Sequence, residues 1–316
     1  MYRFLYRALS PAGAKARLSI FIFHRVLPVA DPLLPFEPDA EQFAWMVKLF
    51  ASQFNVLPLG EAARRLANGT LPAAAAVVTF DDGYADNLEV AWPILKRHGV
   101  PATFFIATAF LEGGRMWNDE VIEAMRIAPP GTVDLGAFDL GQWQVDSVDS
   151  RIKAYGAVLG RLKYFDHGRR AEVAREIGRR HGVPEACQLM MTHRQLKALR
   201  AEGAEIGAHT HTHPILEGLP DDQARAEIAD GKAQLEAILG ERVEVFAYPN
   251  GVPGRDCSAR HGEMVRDLGF RAAVTTEPRF ADGESLPYHL PRFTPWDRTP
   301  SRFALRCLMQ LGSRRG

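Results

Sequence analysis

Val77-Val78-Thr79-Phe80-Asp81-Asp82-Gly83 is the stretch whose reading decides the fold. An apolar, β-branched run climbs out of residues 73–76 and ends in two adjacent carboxylates and a glycine. A short run of this kind reads as a buried strand. Two neighbouring acids at its end are costly, because a buried carboxylate needs a cation or several hydrogen bonds. Neighbours on a regular strand also point to opposite faces. For both acids to serve one site the chain must leave strand geometry there, and Gly83 permits that turn. The plain alternative is a strand end with two solvated acids, since Asp-Asp-Gly is ordinary turn chemistry.

The rest of the chain bounds the answer. Its 316 residues are 47% hydrophobic, ample for one large domain or two smaller ones. Basic and acidic side chains balance at 38 each, which argues against a dedicated nucleic-acid binder. Cys187, Cys257 and Cys307 are odd in number and widely spaced, so they read as thiols in a reducing compartment, not as a disulfide framework or zinc ribbon. Residues 18–23 are apolar but too short for a secretory h-region, and no apolar stretch is long enough to span a bilayer. The expectation is a cytoplasmic chain. Met1-Tyr2-Arg3-Phe4-Leu5-Tyr6-Arg7 mixes aromatics with arginine, and Arg302, Arg306, Arg314 and Arg315 make the other end basic. Weak adhesion of these ends to the inner face of an anionic membrane is one reading, and a solvated end is the other.

Strands and helices alternate through much of the sequence. Residues 18–23 read as a first strand ending at His24. Residues 39–52 carry Phe43, Met46, Val47 and Phe50 at helical spacing, with Asp39 as N-cap. A short strand at 54–57, a helix at 60–68 and the opening strand follow. A helix over 85–98 contains Pro93, which predicts a kink or early break, and 101–107 is another strand. From about 111 to 191 the alternation fails: Gly/Pro/Asp-rich loops precede a charged helical stretch at 151–180, read as an insertion or a small helical subdomain. Alternation resumes with a capping box at Thr192 and Gln195, a strand at 205–208, a helix from Asp221 or Asp222 to Leu239, and a strand at 243–247. A helix at 257–268, strands at 270–275 and 290–293, and a basic helix from residue 300 complete the chain. Seven or eight strands with helical connections predict a parallel α/β barrel. His24, Asp81, Asp82, His209 and Asn250 all fall where strands end, the end that carries the site in such barrels. This divides the chain into a 1–17 extension, an 18–299 domain holding the insertion, and a 300–316 tail.

His209-Thr210-His211-Thr212-His213 is the second unusual stretch. His209 and His213 fit joint ligands on a turn or loop, whereas His209 and His211 would share a strand face. Spacing alone leaves both open, beside a solvated polar loop. With a carboxylate, two imidazoles make a ligand set that leaves metal positions open. A metal so held can lower the pKa of a water and polarise a carbonyl. A second carboxylate beside it can take the water's proton.

Thr79-Phe80-Asp81-Asp82-Gly83 resembles the first motif of the NodB-type polysaccharide deacetylases, carbohydrate esterase family four. His209 to His213 is similar to their His-Ser/Thr-x-x-His metal pair, and Phe246-Ala247-Tyr248-Pro249-Asn250-Gly251 to their third motif. The resemblance covers about 18–110 and 190–295 and keeps the family's order. It implies a distorted (β/α) barrel of about seven parallel strands with a helical insertion. It also implies metal-dependent removal of N-acetyl groups from amino sugars of a polysaccharide, oligosaccharide or lipid-linked precursor. Carried over, Asp82, His209 and His213 hold a divalent metal, zinc first, with cobalt, nickel, manganese or iron as alternatives. Asp81 is then the general base, and His211 a neighbour.

The general acid departs from the usual order. Tyr288-His289-Leu290 fits the family's late Leu-x-His poorly. Phe21-Ile22-Phe23-His24-Arg25-Val26 resembles the rearranged subgroup acting on poly-N-acetylglucosamine, which makes His24 the acid. In the third motif Ala247 stands where the family has its base-orienting arginine, and Asn250 where it has a tyrosine whose backbone N–H serves the oxyanion hole. Asn250 retains a backbone donor. Arg292 either reaches the base from a late strand or is a surface arginine. Trp117, at the start of the insertion, is read as a sugar-stacking aromatic or as packing. Two rival readings remain: the same fold acting on a small N-acyl or cyclic amide metabolite, and a glycan-binding module with a decayed site. The insertion, following a strand, is expected at the rim that shapes substrate access.

Overall fold

The structure, a computed structural model, describes residues 2–185, 188–294 and 297–312. Cys187, Arg314 and Arg315 lie outside the described residues. Two compact units are present: Met1–Val29, Phe36–Leu111 and Met191–Gly316 form the first, Ala30–Pro35 and Glu112–Met190 the second.

The first unit is built on a curled parallel sheet. Its strands are β1 (Leu18–Phe23), β2 (Asn55–Val56), β3 (Ala75–Phe80) and β4 (Thr103–Ile106). After β5 (Thr132–Asp134) and β6 (Gln142–Gln144) of the second unit, β7 (Glu205–Ala208), β8 (Val245–Ala247) and β9 (Ala272–Val274) continue it. The order is β1-β3-β4-β7-β8-β9, with β2 beside the lower part of β3. Leu290-Pro291-Arg292-Phe293 closes the sheet into a distorted barrel without forming a full strand. Leu290 bridges Val274 of β9, and Phe293 bridges Phe21 of β1. Thr275 and Ile22 donate to the Leu290 and Phe293 carbonyls at 2.8 and 3.2 Å.

β1 and β3 are buried along their whole length. That is why neither shows the alternation of a half-exposed strand: in a parallel barrel both faces are covered. The two faces do different work. Phe21, Phe23, Val78, Phe80, Phe104 and Phe246 point outward and pack with Phe43 and Phe50 of the helix Ala40–Gln53 in one cluster. Leu18, Ile20, Ala75, Val77, Phe105, Val245 and Val274 belong to an inner cluster with Leu59, Ala62 and Leu66 of the helix Leu59–Ala67, which plugs the amino-terminal end. Glu205 holds that plug, accepting from the Gly60 N–H at 3.0 Å and the Thr103 hydroxyl at 2.6 Å. The inner row of β3 therefore runs Ala75, Val77, Thr79, and its next member is Asp81.

The eleven helices of the described residues are α1 (Arg3–Leu9), α2 (Ala40–Gln53), α3 (Leu59–Ala67), α4 (Trp92–Arg97), α5 (Trp117–Ile127), α6 (Val148–Leu162), α7 (His167–Arg180), α8 (His193–Ala201), α9 (Asp221–Leu239), α10 (Ala259–Asp267) and α11 (Pro300–Gly312). Pro93 falls in the first turn of α4, after a π-helical turn over Asn87–Ala91, so the early break is seen where the missing N–H predicts it. The second unit is helical over 151–180 as expected, and adds a strand pair where only loops were expected. Thr132–Asp134 and Gln142–Gln144 form an antiparallel hairpin, too short to stand out from the Asp/Gly turns around it. The stretch 151–180 is two helices, α6 and α7. Asp166 starts the second by accepting from the Arg169 N–H at 3.1 Å.

Candidate metal centre and active site

At the end of β3 the inward row delivers Asp81 to the barrel mouth, and regular geometry would send Asp82 outward. The chain turns at Asp82 itself, with φ +74°, and continues through Gly83 at +93°. A non-glycine residue in this left-handed region costs of order ~1–2 kcal/mol. Thr210 at +65°, His213 at +59° and Asn250 at +59° share the conformation. Strain of this kind is held where the surroundings fix it; Ala74, Glu112 and Asp139 carry it elsewhere, but these four lie on the three loops that follow β3, β7 and β8.

The result is a convergence. Asp82 Oδ1 lies 3.4 Å from His209 Nε2 and 3.3 Å from His213 Nε2. Among the described residues, these three offer ligand atoms all within 4.8 Å of one another. Nδ1 of His209 lies 2.7 Å from the Ala247 carbonyl, an acceptor, so Nδ1 carries the hydrogen and Nε2 of the neutral ring presents its lone pair inward. Two imidazole nitrogens and one carboxylate oxygen suit zinc and similar divalent cations, and leave coordination positions open. Burial alone would push the Asp82 carboxyl up, but His209, His213 and His24 outweigh it and hold it well below the carboxylate range. Burial would likewise lower His209, yet Asp81 and Asp82 outweigh it and raise its pKa. The pocket thus favours positive charge where the two Nε2 atoms meet.

His211 turns away. Its Nδ1 pairs with the Thr108 hydroxyl at 2.9 Å, and its backbone is held by Glu227 of α9. Glu227 also accepts from the Thr212 N–H at 2.8 Å and hydroxyl at 2.6 Å. Within the loop, the Thr210 hydroxyl accepts from the His213 N–H at 3.1 Å. α9 can approach this closely because residue 231 is glycine: a Cβ there would meet the Thr210 carbonyl carbon and oxygen at 2.6 Å. Sequence reasoning reaches neither Glu227 nor Gly231 as part of the site. A glycine in the middle of a nineteen-residue helix is the signal that could point there.

Asp81 sits beside this centre and is tied elsewhere. Arg292 is fully buried and forks onto it, Nη1 to Oδ1 at 2.7 Å and Nη2 to Oδ2 at 2.8 Å. The same guanidinium donates to the Thr79 hydroxyl at 3.1 Å and the Thr275 carbonyl at 3.0 Å. Burial raises the Asp81 carboxyl, but Arg292, His209 and His24 outweigh it and keep it ionised. A bidentate guanidinium fixes the carboxylate plane, and breaking such a buried pair from one side costs about 3–5 kcal/mol. Ala247, with no side chain to spare, contributes only its carbonyl.

His24 lies at the end of β1, partly buried, and its carbonyl accepts from Asn87 Nδ2 at 2.9 Å. The Asp81 N–H donates to the Phe23 carbonyl at 2.9 Å, joining the His24 loop to the acidic turn. His24 is near enough to both acids for its charge to lower them. His289 is placed differently: it stacks on Tyr248 at 5.5 Å and its Nε2 pairs with the Ser258 carbonyl at 3.1 Å. The Asn250 carbonyl accepts from the Thr276 hydroxyl at 2.7 Å, which holds the turn after β8. Trp117 lies in the second unit, packed on that unit's own cluster with the Arg170 guanidinium 4.9 Å over its ring.

Residues 68–136 and 150–273 match the sequence pattern of the polysaccharide deacetylase family. The chain belongs to that family. As a polysaccharide deacetylase it is a hydrolase acting on amide bonds. It is 22% identical over 278 residues to YxkH of Bacillus subtilis (strain 168), covering 88% of this chain and 71% of that protein. Two solved structures share the fold. The deacetylase PplD of Streptococcus pyogenes, in complex with acetate, gives a TM-score of 0.63 at 20% identity over 94% of this chain and 98% of its own. IcaB from Ammonifex degensii gives 0.60 at 21% identity over 96% and 99%.

Proposed function

We propose that this deacetylase uses a divalent cation, zinc first, to remove acetyl groups from N-acetylated amino sugars of a glycan. The observation that carries the reading is the convergence of Asp82, His209 and His213 on one point, with an ionised Asp81 beside them that is locked by Arg292. Held there, the cation would supply Lewis acidity toward the acyl oxygen and lower the pKa of a water. The remaining work falls to side chains of this chain. Asp81 takes the proton of the attacking water, and its fork to Arg292 keeps one orientation throughout. His24, on the first strand end, gives a proton to the departing amine nitrogen. The backbone N–H of Asn250 is the donor assigned to the developing oxyanion. Acetate, bound in the S. pyogenes protein PplD, is the product such a reaction releases.

The test is acetate release from N-acetylglucosamine oligomers, with and without chelator. Turnover that survives complete metal removal would overturn the cation dependence. Turnover on small N-acyl metabolites and none on oligomers would move the substrate class. Within this reading Asp81→Asn keeps its metal and loses activity by roughly 10²–10⁴-fold, the size of a general-base contribution. Loss of metal in that variant, with retention in Asp82→Asn, would reverse the two roles.

Gly231→Ala tests the support behind the loop. Alanine favours a helix interior by ~1 kcal/mol over glycine, but forcing a methyl into packed backbone costs typically ~1–3 kcal/mol. The expected outcome is weaker metal binding, about tenfold for each ~1.4 kcal/mol by which the loop is displaced. Calorimetric titration of the metal-free protein checks it. Unchanged affinity with a raised Tm would mean that the His209–His213 loop yields freely.

A further inference from the structure

Both ends of the chain are basic without any acid. Residues 1–30 carry Arg3, Arg7, Lys15, Arg17 and Arg25, and the sequence beyond Asp297 carries Arg298, Arg302, Arg306, Arg314 and Arg315. Neither stretch contains Asp or Glu, in a chain whose totals balance at 38 and 38.

The fold brings these ends together. Tyr6 of α1 is fully buried, and its hydroxyl donates to the Ala304 carbonyl of α11 at 2.8 Å. Arg17 donates to the Leu311 carbonyl. α11 turns Phe303, Ala304, Cys307, Leu308 and Leu311 into the core. Its other side, at helical spacing, carries Arg302, Leu305, Arg306 and Met309. α1 has Phe4 on the side opposite Tyr6, next to Leu5, with Arg3 and Arg7 as exposed neighbours. Phe4 is 79% exposed, Leu5 47%, Leu305 54% and Met309 59%. Arg306 is tied to Asp297, while Arg302 stands exposed one turn from it.

Two abutting helices therefore each show solvent an apolar pair flanked by arginine. We propose that this α1–α11 face docks on an anionic lipid surface. Large apolar side chains left in water beside arginines fit the boundary between headgroups and acyl chains, where both find partners. A second copy of the same face is a poorer complement, because isologous contact would set arginines against arginines, with no acid on either helix to pair them. Anionic headgroups supply the missing charge.

Co-sedimentation of the full chain with vesicles of phosphatidylglycerol, compared with phosphatidylcholine, tests this. Binding is expected with phosphatidylglycerol only, weakening with salt. It should fall about fivefold for Arg302→Gln and again for Arg3→Gln, the effect of one basic group near an anionic surface. Leu305→Ser with Met309→Ser should also release the protein. These positions are exposed, so the variants should melt and deacetylate like the parent. Protein that stays in solution with phosphatidylglycerol, or binds both lipids equally, overturns the proposal. A dimer in sedimentation velocity that Leu305→Ser dissociates would assign the face to a second copy instead. The salt dependence of the unaltered protein decides the matter even if a variant fails to fold. None of these outcomes depends on the substrate or metal of the barrel site.

Discussion

Asp82→Ala and His209→Ala each remove bound divalent cation and deacetylase activity together. The expectation follows from how few donors the centre has. Asp82, His209 and His213 are the cluster of ligand atoms found among the described residues, and a three-ligand site has none in reserve. Asp82 is shared by both imidazoles through one oxygen, at 3.4 and 3.3 Å, so its loss removes the one carboxylate oxygen that the two rings meet. His209 is held by the Ala247 carbonyl in the tautomer that offers Nε2, so its loss removes the most firmly oriented donor. Metal analysis after dialysis, beside acetate release on the same preparation, checks both. Wild-type metal content in either variant would disprove the ligand assignment. Intact content with lost activity would show that the residue acts on substrate instead.

Much of this centre is legible in the amino-acid sequence, because it rests on short-range rules. Strand period places Asp81 and Asp82 on opposite faces and requires a break between them. The break occurs one residue earlier than the glycine suggests, in the φ of Asp82 itself, since the loop's contacts outweigh the backbone cost. The spacing of the three histidines leaves the ligand pair open. Which two converge with Asp82 is set by left-handed turns at Thr210 and His213 and by Glu227, sixteen residues beyond His211, which no local rule connects to it. Arg292 is the longest reach: it meets Asp81 across 211 positions because the segment 290–293 closes the barrel beside β1. Sequence can mark an arginine on a late strand, but only closure decides that it points inward. The hairpin of the second unit stays hidden because three-residue strands carry too little pattern to outweigh the turn residues around them.

His24→Ala retains its metal, loses amide hydrolysis severely, and spares much of the hydrolysis of an activated acetate ester. An amine anion is too poor a leaving group to depart unprotonated, whereas the leaving group of an activated ester needs no proton, so a general acid is felt on one substrate and not on the other. The position of His24 suits that task. It ends β1 at the same barrel end as Asp81 and His209, and the Phe23 carbonyl just before it accepts the Asp81 N–H at 2.9 Å. Asn87 Nδ2 fixes its carbonyl at 2.9 Å, so the loop is held on both sides. It is not among the converging ligand atoms, and metal content should not depend on it. The other histidine open to the role, His289, is committed to Ser258 and stacked on Tyr248. Removing a general acid should cost about 10²–10⁴-fold on the amide. Equal losses on amide and ester would make His24 a structural or substrate-binding residue. A loss of metal would place it in the coordination sphere. The split between substrates, with metal unchanged, is the result that only proton donation to the leaving nitrogen produces.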